Sequence, residues 1–597
     1  MADEWDPFAD PADAVVAEGA DSGTGKIPPP AAASSNSESR NGSDDAKVSR
    51  PSRTVGKDFD PYALLGIPHD ATDAAIRSAF RKVSLRVHPD HCPDDPEAAA
   101  KFRELMETRD FLLNPFRRRL YNLRHGLAQK TQIILWWSSW EDIFEEADAP
   151  DDDDGDGALA PAPPPAPSAP AGGGRTDVLI LGATGLIGTL ACSWARRRAR
   201  GLTWAVAGRD GRKLGLVAEK FGGGPLFRGA HRAESPEDVE RLVRTARVVV
   251  DFRGPKYQIG YDVAEACIRG GAHYIDTSGE PIGCLAAAAV RDELDRKAKA
   301  AKVSLVFFCG SFTLPRDLGC WAMVEYLFDR HQLPTRRVNV YQKTVGQTIP
   351  GTYLSSFVKG PNPTEAKKSG APFPLGGVRG GSVRPEDDPG KGIEEDANSG
   401  LWVQIDTDDY VAWVLRCSCG LFDSSRPYGD SFWVKCWNLL PDKQAGESAA
   451  MNNAFVKRAY AKYLSEGKLP PPGSGPKEDL RRQSFITNVF VAEAETADES
   501  EPVVAYAVMT EGPGGPGDPC EGTAVLALEA ARCLLDAAGS RGSGALHCGF
   551  GTPAYHLGHL GFLDRMSQLG YTWNVVDGVP PKELFRNILG SVAPIMS

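Results

Sequence analysis

With 597 residues and a formal net charge of −12, the chain is too long for one hydrophobic core and calls for about three or four folded units. An acidic chain lacks the basic surface that phosphate neutralisation needs, which argues against a nucleic-acid partner. The twelve cysteines follow no regular framework, no signal-like N-terminus precedes them, and the longest apolar runs (133–137 and 303–309) fall far short of a membrane span, so reduced thiols in a soluble, intracellular, cytoplasmic protein are expected.

Residues 1–57 are rich in Ala, Asp, Ser and Pro with few aromatics, too little apolar surface to offset the entropy of ordering, and a disordered tail is expected there. Residues 58–124 read as helices. Ile76, Phe80, Val83 and Val87 recur at spacings of four, three and four, which is one face of a helix, with Arg77, Arg81, Lys82 and Arg86 largely opposite. A second periodic run carries Phe102, Leu105 and Leu112 and stops at Asn114 and Pro115. The two helices are expected to pair in antiparallel fashion, with His88, Pro89 and Asp90 in the joining loop. Residues 125–174 form a low-complexity linker in which an acidic run gives way to proline and then glycine. Inside it, the run from Ile133 to Trp140 suits either docking on a membrane or partner surface or packing as a helix on the rest of the chain.

From Asp177 to Leu181 an aliphatic strand leads into Gly182–Gly188, with helical character from Leu190 to Arg198. Strand, glycine turn and helix form a dinucleotide cradle: Gly182 permits the turn, Gly185 lets a pyrophosphate approach and Gly188 allows close helix packing, with Thr184, Leu186 and Ile187 completing the cradle. The strand Thr203–Gly208 ends at Arg209, where an NAD enzyme places an acidic residue for the ribose hydroxyls. A guanidinium there suits a 2′-phosphate, so NADP is the expected cofactor, the alternative being a surface cation at a strand end. A third strand is expected at Ala246–Phe252, a helix at Tyr261–Arg269 and a buried strand at Val303–Phe308, which together imply a parallel sheet.

In an open α/β sheet the crevice lies at the carboxyl ends of the strands, which points to Gly254, Pro255, Asp276, Glu280 and the 309–319 loop. Asp276 and Glu280 are candidates for placing substrate or relaying a proton, set against ordinary capping of a helix or of backbone amides. Tyr257 is a candidate proton donor, and Arg316 with Asp317 are read as a structural pair or a substrate contact. His556 and His559, with His547 and Cys548 nearby, have the spacing of metal ligands but sit in what reads as an ordinary helix; no metal site is expected.

Two resemblances organise these readings. Asp60–Ile67, the basic helix, His88-Pro89-Asp90, the run 101–115 and the run 117–122 resemble, in order, the J-domain of heat-shock cochaperones. That resemblance implies that the basic face and Asp90 engage and stimulate the ATPase of a seventy-kilodalton heat-shock chaperone. Arg109 stands where that family usually has an aromatic, so weaker packing between the two helices is expected. The motifs at 182–188, 205–210, 253–260, 270–280 and 309–319, continued by those at 351, 414, 428, 512 and 552, resemble the saccharopine dehydrogenase-like oxidoreductases, in particular the trans-acting enoyl reductases of lipid biosynthesis. Where that family has an aromatic after the Gly-Pro pair this chain has Lys256, and where it commonly has an aspartate before the DLG triplet this chain has Phe312.

The expected whole is multidomain: a small all-α J-domain hairpin (58–124), an α/β Rossmann domain binding NADP (175–320), a second α/β domain with a mixed sheet (321–545) and a C-terminal segment (546–597) returning to the Rossmann domain. The resemblance implies reduction of a small, hydrophobic, lipid-like carbonyl or enoyl substrate in lipid metabolism, in the cytoplasm or on a lipid droplet or membrane surface. The alternative is an inactive nucleotide-binding scaffold that serves as a cochaperone.

Overall fold

The computed structural model describes residues 60–69, 71, 73–87, 95, 98–113, 144–145, 174–198, 201–346, 349–359, 372–377, 392–405, 410–422, 427–466, 470–496, 502–511, 518–539 and 546–591. The expected tail, His88, Pro89 and Asp90, and the aromatic run 133–140 lie outside them. The chain divides into two units, 1–128 and 129–597.

In the first unit, Asp60 caps a short helix α1 (Pro61–Leu65) by accepting from the Tyr62 and Ala63 amides at 2.9 and 3.2 Å, and Gly66 ends it in the left-handed conformation. The longer helices α2 (Asp73–Val87) and α3 (Ala98–Leu113) follow. Tyr62, Leu65, Ile76, Leu105 and Leu112 form the core, with Phe80, Val83 and Val87 packed against it. Arg77, Arg81, Lys82 and Arg86 are exposed. Arg109 does not leave a gap in the helix pair: its guanidinium carbon lies 4.5 Å from the centre of the Phe80 ring, a cation–π contact in place of an aromatic pair.

The second unit begins with a two-residue strand, β1 (Phe144–Glu145). Six strands in sequence then build the first sheet: β2 (Thr176–Leu181), β3 (Trp204–Gly208), β4 (Phe227–Arg232), β5 (Ala246–Asp251), β6 (His273–Asp276) and β7 (Ser304–Val306). All its pairings are parallel, and a seventh strand from far down the chain, 549–551, pairs beside β7. Helices cover both faces, which is why Val178–Leu181 and Val248–Val250 are continuous apolar runs with almost no exposure. Ala246–Asp251 is therefore the fourth strand of this sheet in chain order, not the third. The strand that sequence reading passed over, β4, is a half-exposed edge whose FRGAHR sequence lacks the apolar signal of its neighbours.

The second sheet is mixed. Its strands are β8 (Thr335–Val345), β9 (Ile393–Asp396), β10 (Leu401–Ile405), β11 (Tyr428–Leu440), β13 (Phe485–Ala494), β14 (Val504–Glu511) and β16 (Tyr571–Asp577), in the order β16-β14-β13-β8-β11-β10-β9; β12 (Gly475–Pro476) pairs with β1, and β15 (Gly549–Gly551) is the strand already met in the first sheet. Central β8 runs parallel to β11 and antiparallel to β13. One face packs on the helix Leu314–His331, where Phe490 lies so close to Gly319 that a side chain there would collide with its ring. The other face is closed by the last helix, whose Phe585 and Ile588 meet Tyr341, Val403 and Trp437. Among the described residues no helix is long and apolar enough to cross a membrane, and the eleven described cysteines are free thiols.

Candidate functional site

Where β2 ends, Gly182 takes φ +77, and a Cβ there would lie 2.9 Å from the Arg253 amide nitrogen. A side chain at Gly188 would collide with the Gly182 carbonyl oxygen, so the helix Leu186–Arg198 approaches the turn only because residue 188 has none. A Cβ at Gly185 would sit in ordinary contact with the Gly182 carbonyl oxygen at 3.7 Å and with Gly473 Cα at 3.9 Å. Thr184 is half-buried beside it.

At the end of β3, Arg209 is exposed and Asp210 caps the next helix by accepting from the Lys213 amide. Arg232, at the end of neighbouring β4, donates from Nε to the Arg209 carbonyl at 3.4 Å and pairs with Glu234. Two guanidinium groups thus stand at this corner of the sheet; the second was missed because β4 was.

The turn opens on a cleft at the carboxyl edge of the first sheet, with a cavity volume of about 130 Å³, lined by Gly185–Gly188, Phe252–Gly254, Lys256, Thr277–Glu280, Gly310–Thr313, Thr352, Tyr353 and segments near Gly473 and Pro519. Lys256 is 3 % exposed, and its Nζ donates to Asp251 Oδ2 at 2.7 Å and to the Tyr274 hydroxyl at 3.3 Å. Burial pushes the Asp251 carboxyl up, but the Lys256 ammonium and the Arg253 guanidinium, 3.0 Å away, outweigh it and hold it at about 2. The Asp251 carboxyl is therefore ionised at neutral pH. Its sequence signal was the replacement of the family's aromatic at 256, which reads as a departure until the burial is seen.

The three candidates for catalysis separate. Glu280 reaches the cleft, 7 % exposed; its Oε2 accepts from the Gly279 amide at 2.8 Å and Oε1 from Ser356 Oγ at 3.2 Å, and burial raises its carboxyl above the usual carboxylate range. Asp276 is fully buried and does not line the cleft. It accepts from Ser278 Oγ and from the amide of Phe308, a residue held at φ +67, so its carboxylate fixes a left-handed turn that a bulky residue otherwise avoids. Burial raises this carboxyl too. Tyr257 turns from the cleft, its hydroxyl 3.3 Å from Ser355 Oγ and 3.0 Å from Gln258 Nε2. Gly254 lines the cleft beside buried Pro255.

Arg316 and Asp317 turn to different partners. Arg316 Nε donates to the Phe312 carbonyl at 2.6 Å, whereas Asp317 accepts from Ser418 Oγ and, at 2.7 Å, from the Ala554 amide. Burial pushes the Asp317 carboxyl up to about 7. His556 is buried with neither ring nitrogen hydrogen-bonded, and burial holds it neutral down to about 3. His547 and His559 stack with ring centres 4.1 Å apart. Among the described residues no group of three or more His, Cys, Asp or Glu is placed to hold a metal.

A proline-rich segment unremarked in the sequence crosses the glycine turn. The Leu186 amide, at the start of the cradle helix, donates to the Gly473 carbonyl at 3.0 Å; the Gly473 amide donates to Thr352 Oγ1 at 2.9 Å, and the Gly351 amide to the Ser474 carbonyl at 3.0 Å. Gly473 and Ser474 of this segment line the cleft together with Thr352 and Gly185.

Residues 60–122 match the family described as DnaJ domain, and residues 178–306 the family described as Saccharopine dehydrogenase NADP binding domain. The chaperone protein dnaJ 39 of Arabidopsis thaliana is 50 % identical over 62 residues, 10 % of this chain and 15 % of that protein. Chaperone protein DnaJ of Salinibacter ruber is 44 % identical over 63 residues, 11 % of this chain and 16 % of that protein. The chain thus spans about a sixth of the length of these curated relatives. Among solved structures, biliverdin reductase of Synechocystis in complex with biliverdin and NADP⁺ is 11 % identical, covering 66 % of this chain and 98 % of that one with a TM-score of 0.28. A putative myo-inositol dehydrogenase of Sinorhizobium meliloti is 10 % identical, covering 66 % and 96 % with a TM-score of 0.29. Scores this low carry no functional meaning.

Proposed function

We propose that the second unit is an NADP-dependent oxidoreductase that reduces a small hydrophobic, lipid-like carbonyl or enoyl compound, and that the first unit recruits a seventy-kilodalton heat-shock chaperone to it, in the cytoplasm or at a lipid-droplet or membrane surface. The observation that carries the redox half is the turn 182–188 at the carboxyl edge of a parallel sheet, with no room for a side chain at Gly182 or Gly188, opening on a cleft that holds a buried carboxyl at Glu280. The cradle fits a dinucleotide, because a Cβ at Gly182 or Gly188 would fill the space the turn needs and the helix behind it begins with amide donors. Gly182, Thr184, Gly185, Leu186, Ile187 and Gly188 would hold the pyrophosphate, Arg209 with Arg232 the 2′-phosphate, and Gly254, backed by buried Pro255, would line the cleft next to the turn. The cofactor, when bound in its reduced form NADPH, would supply the hydride and leave as NADP⁺.

The chain's own residues supply position, charge and a proton. Glu280, whose carboxyl burial raises above the usual carboxylate range, stands at the cleft wall and serves as general acid. The Lys256 ammonium, fixed by Asp251, places positive charge at the cleft floor, where charge develops on a reduced carbonyl. Asp276 is a positioning residue acting through the Phe308 turn. Phe252, Phe312 and Tyr353 exclude water and favour an apolar substrate. The match to a saccharopine dehydrogenase NADP binding domain and the two arginines support NADP over NAD.

Calorimetric titration with NADPH and NADH tests this reading. Saturable binding is expected with NADPH about tenfold tighter or more, and Arg209→Glu removes that preference. No saturable binding of either cofactor at millimolar concentration sinks the redox half. Binding without turnover of any carbonyl or enoyl compound, including those that copurify, returns the second unit to a nucleotide-holding scaffold. For the first unit, His88→Gln in the full chain is expected to abolish stimulation of chaperone ATPase activity; an unchanged rate rejects the assignment.

A further inference from the structure

Resting on the dinucleotide reading, we propose that residues 470–476 form an autoinhibitory strap that NADP must displace to bind. The first amides of a helix beside a glycine turn are the donors that accept a pyrophosphate oxygen. In this protein the first of them, on Leu186, already donates to a backbone carbonyl oxygen, that of Gly473, at 3.0 Å. A carbonyl and a phosphate oxygen are both acceptors, so one amide at this distance serves one of them, and Gly473 Cα stands over Gly185 where the pyrophosphate would approach.

The strap is held on both sides. Toward the cleft, the Gly473 amide donates to Thr352 Oγ1 at 2.9 Å and the Gly351 amide to the Ser474 carbonyl at 3.0 Å. Toward the outside, Gly475 and Pro476 pair with Glu145 and Phe144 of β1, and the buried Arg481, itself paired with Asp518, donates to the Pro476 carbonyl at 2.9 Å. A side chain at Gly475 would collide with Leu186 and one at Gly351 with the Pro471 carbonyl, so the contact is a fitted one. Pro470, Pro471 and Pro472 stiffen the approach and lower the entropy cost of seating the strap. Opening it frees the Leu186 amide for a phosphate oxygen and uncovers Gly185.

Two measurements on the full chain test the strap. In the first, hydrogen exchange at the Gly473–Gly475 amides is followed with and without saturating NADPH. Faster exchange there while the Leu186 amide stays protected is the expected result, because phosphate replaces Gly473 on that amide as the strap leaves; unchanged or slower exchange at 473–475 overturns the proposal. In the second, the double variant Pro471→Gly/Pro472→Gly, at exposed positions, raises the entropy of the seated strap's competitor state and is expected to lower the NADPH Kd about three- to tenfold. An equal or weaker affinity overturns the strap while leaving the cofactor reading in place. Absence of NADPH binding in both the parent chain and the double variant overturns both, and binding by the variant alone supports both.

Discussion

The first sheet of the second unit and the second sheet bury their strands by different routes. In the first, short strands, all but edge β4 near-continuously apolar, lie between helices on both faces, and the sheet grows outward from the β2–β5 pair, through β3 to β4 on one side and through β6 and β7 to 549–551 on the other. In the second, long strands collected from 335 to 577 alternate between a face packed on the helix Leu314–His331 and a face closed by the last helix. The consequence is functional. The first sheet ends in a turn that has no room for a side chain at Gly182 or Gly188, whereas the second is locked by large side chains such as Phe490, Trp573, Tyr341 and Phe585.

If the second sheet depends on interlocked large side chains, Phe490→Ala should cost about 4 kcal/mol, read as a shift in the denaturant midpoint; a loss below 1 kcal/mol, on the same scale, would show that its core collapses to fill the space. If the first sheet depends on the absence of side chains, Gly188→Ala should cost about 3 kcal/mol, because the added methyl meets the rigid Gly182 carbonyl, and should abolish NADPH binding. Unchanged stability would mean that the helix shifts freely.

The contact that joins the two sheets has its own signature in pH. Asp317 sits on the helix under the second sheet and holds the Ala554 amide just after β15 of the first. Its folded carboxyl titrates at about 7, above the unfolded value of about 3.9. Below pH ~4 both states are protonated and its contribution is whole; from there to pH ~7 the unfolded chain releases a proton that the folded one keeps, and stability falls by about 1.4 kcal/mol per pH unit. Asp317→Asn is expected to flatten that slope between pH 5 and pH 7 in urea melts, and a slope equal to the parent's would place the titration elsewhere. Smallest is the edge: Phe227→Ala on β4, whose ring centre lies 4.7 Å from that of Trp204, should cost about 1 kcal/mol, with the melting temperature as the readout. A cost equal to that of Phe490→Ala would erase the distinction between edge and core.

Legibility followed the physics of each feature. Val178–Leu181, Ala205–Gly208 and Val248–Val250 were readable because a strand covered on both faces has no polar alternation to hide it. The glycine turn was readable because steric demand leaves only one residue type. The basic face of α2 was readable from helical spacing alone. By contrast, β4 was lost because an edge strand needs no apolar run, and Arg232 was lost with it. Lys256 looked like a mere departure from a family pattern, since its partner Asp251 is five residues back and the pairing depends on the turn between them. Glu280 and Asp276 looked equivalent; only burial and hydrogen bonding set one at the cleft wall and the other under a strained turn.

By itself the sequence determined what local sterics and periodicity dictate: two kinds of unit, a helical pair with a basic face, a parallel sheet and a glycine turn at the end of its first strand. The tertiary structure alone decided which of several carboxyls faces the cleft, which lysine is buried in it, and that a proline-rich segment nearly three hundred residues beyond the turn lies across it. Those facts depend on pairings between distant segments, and a pairing leaves no period or composition in either partner.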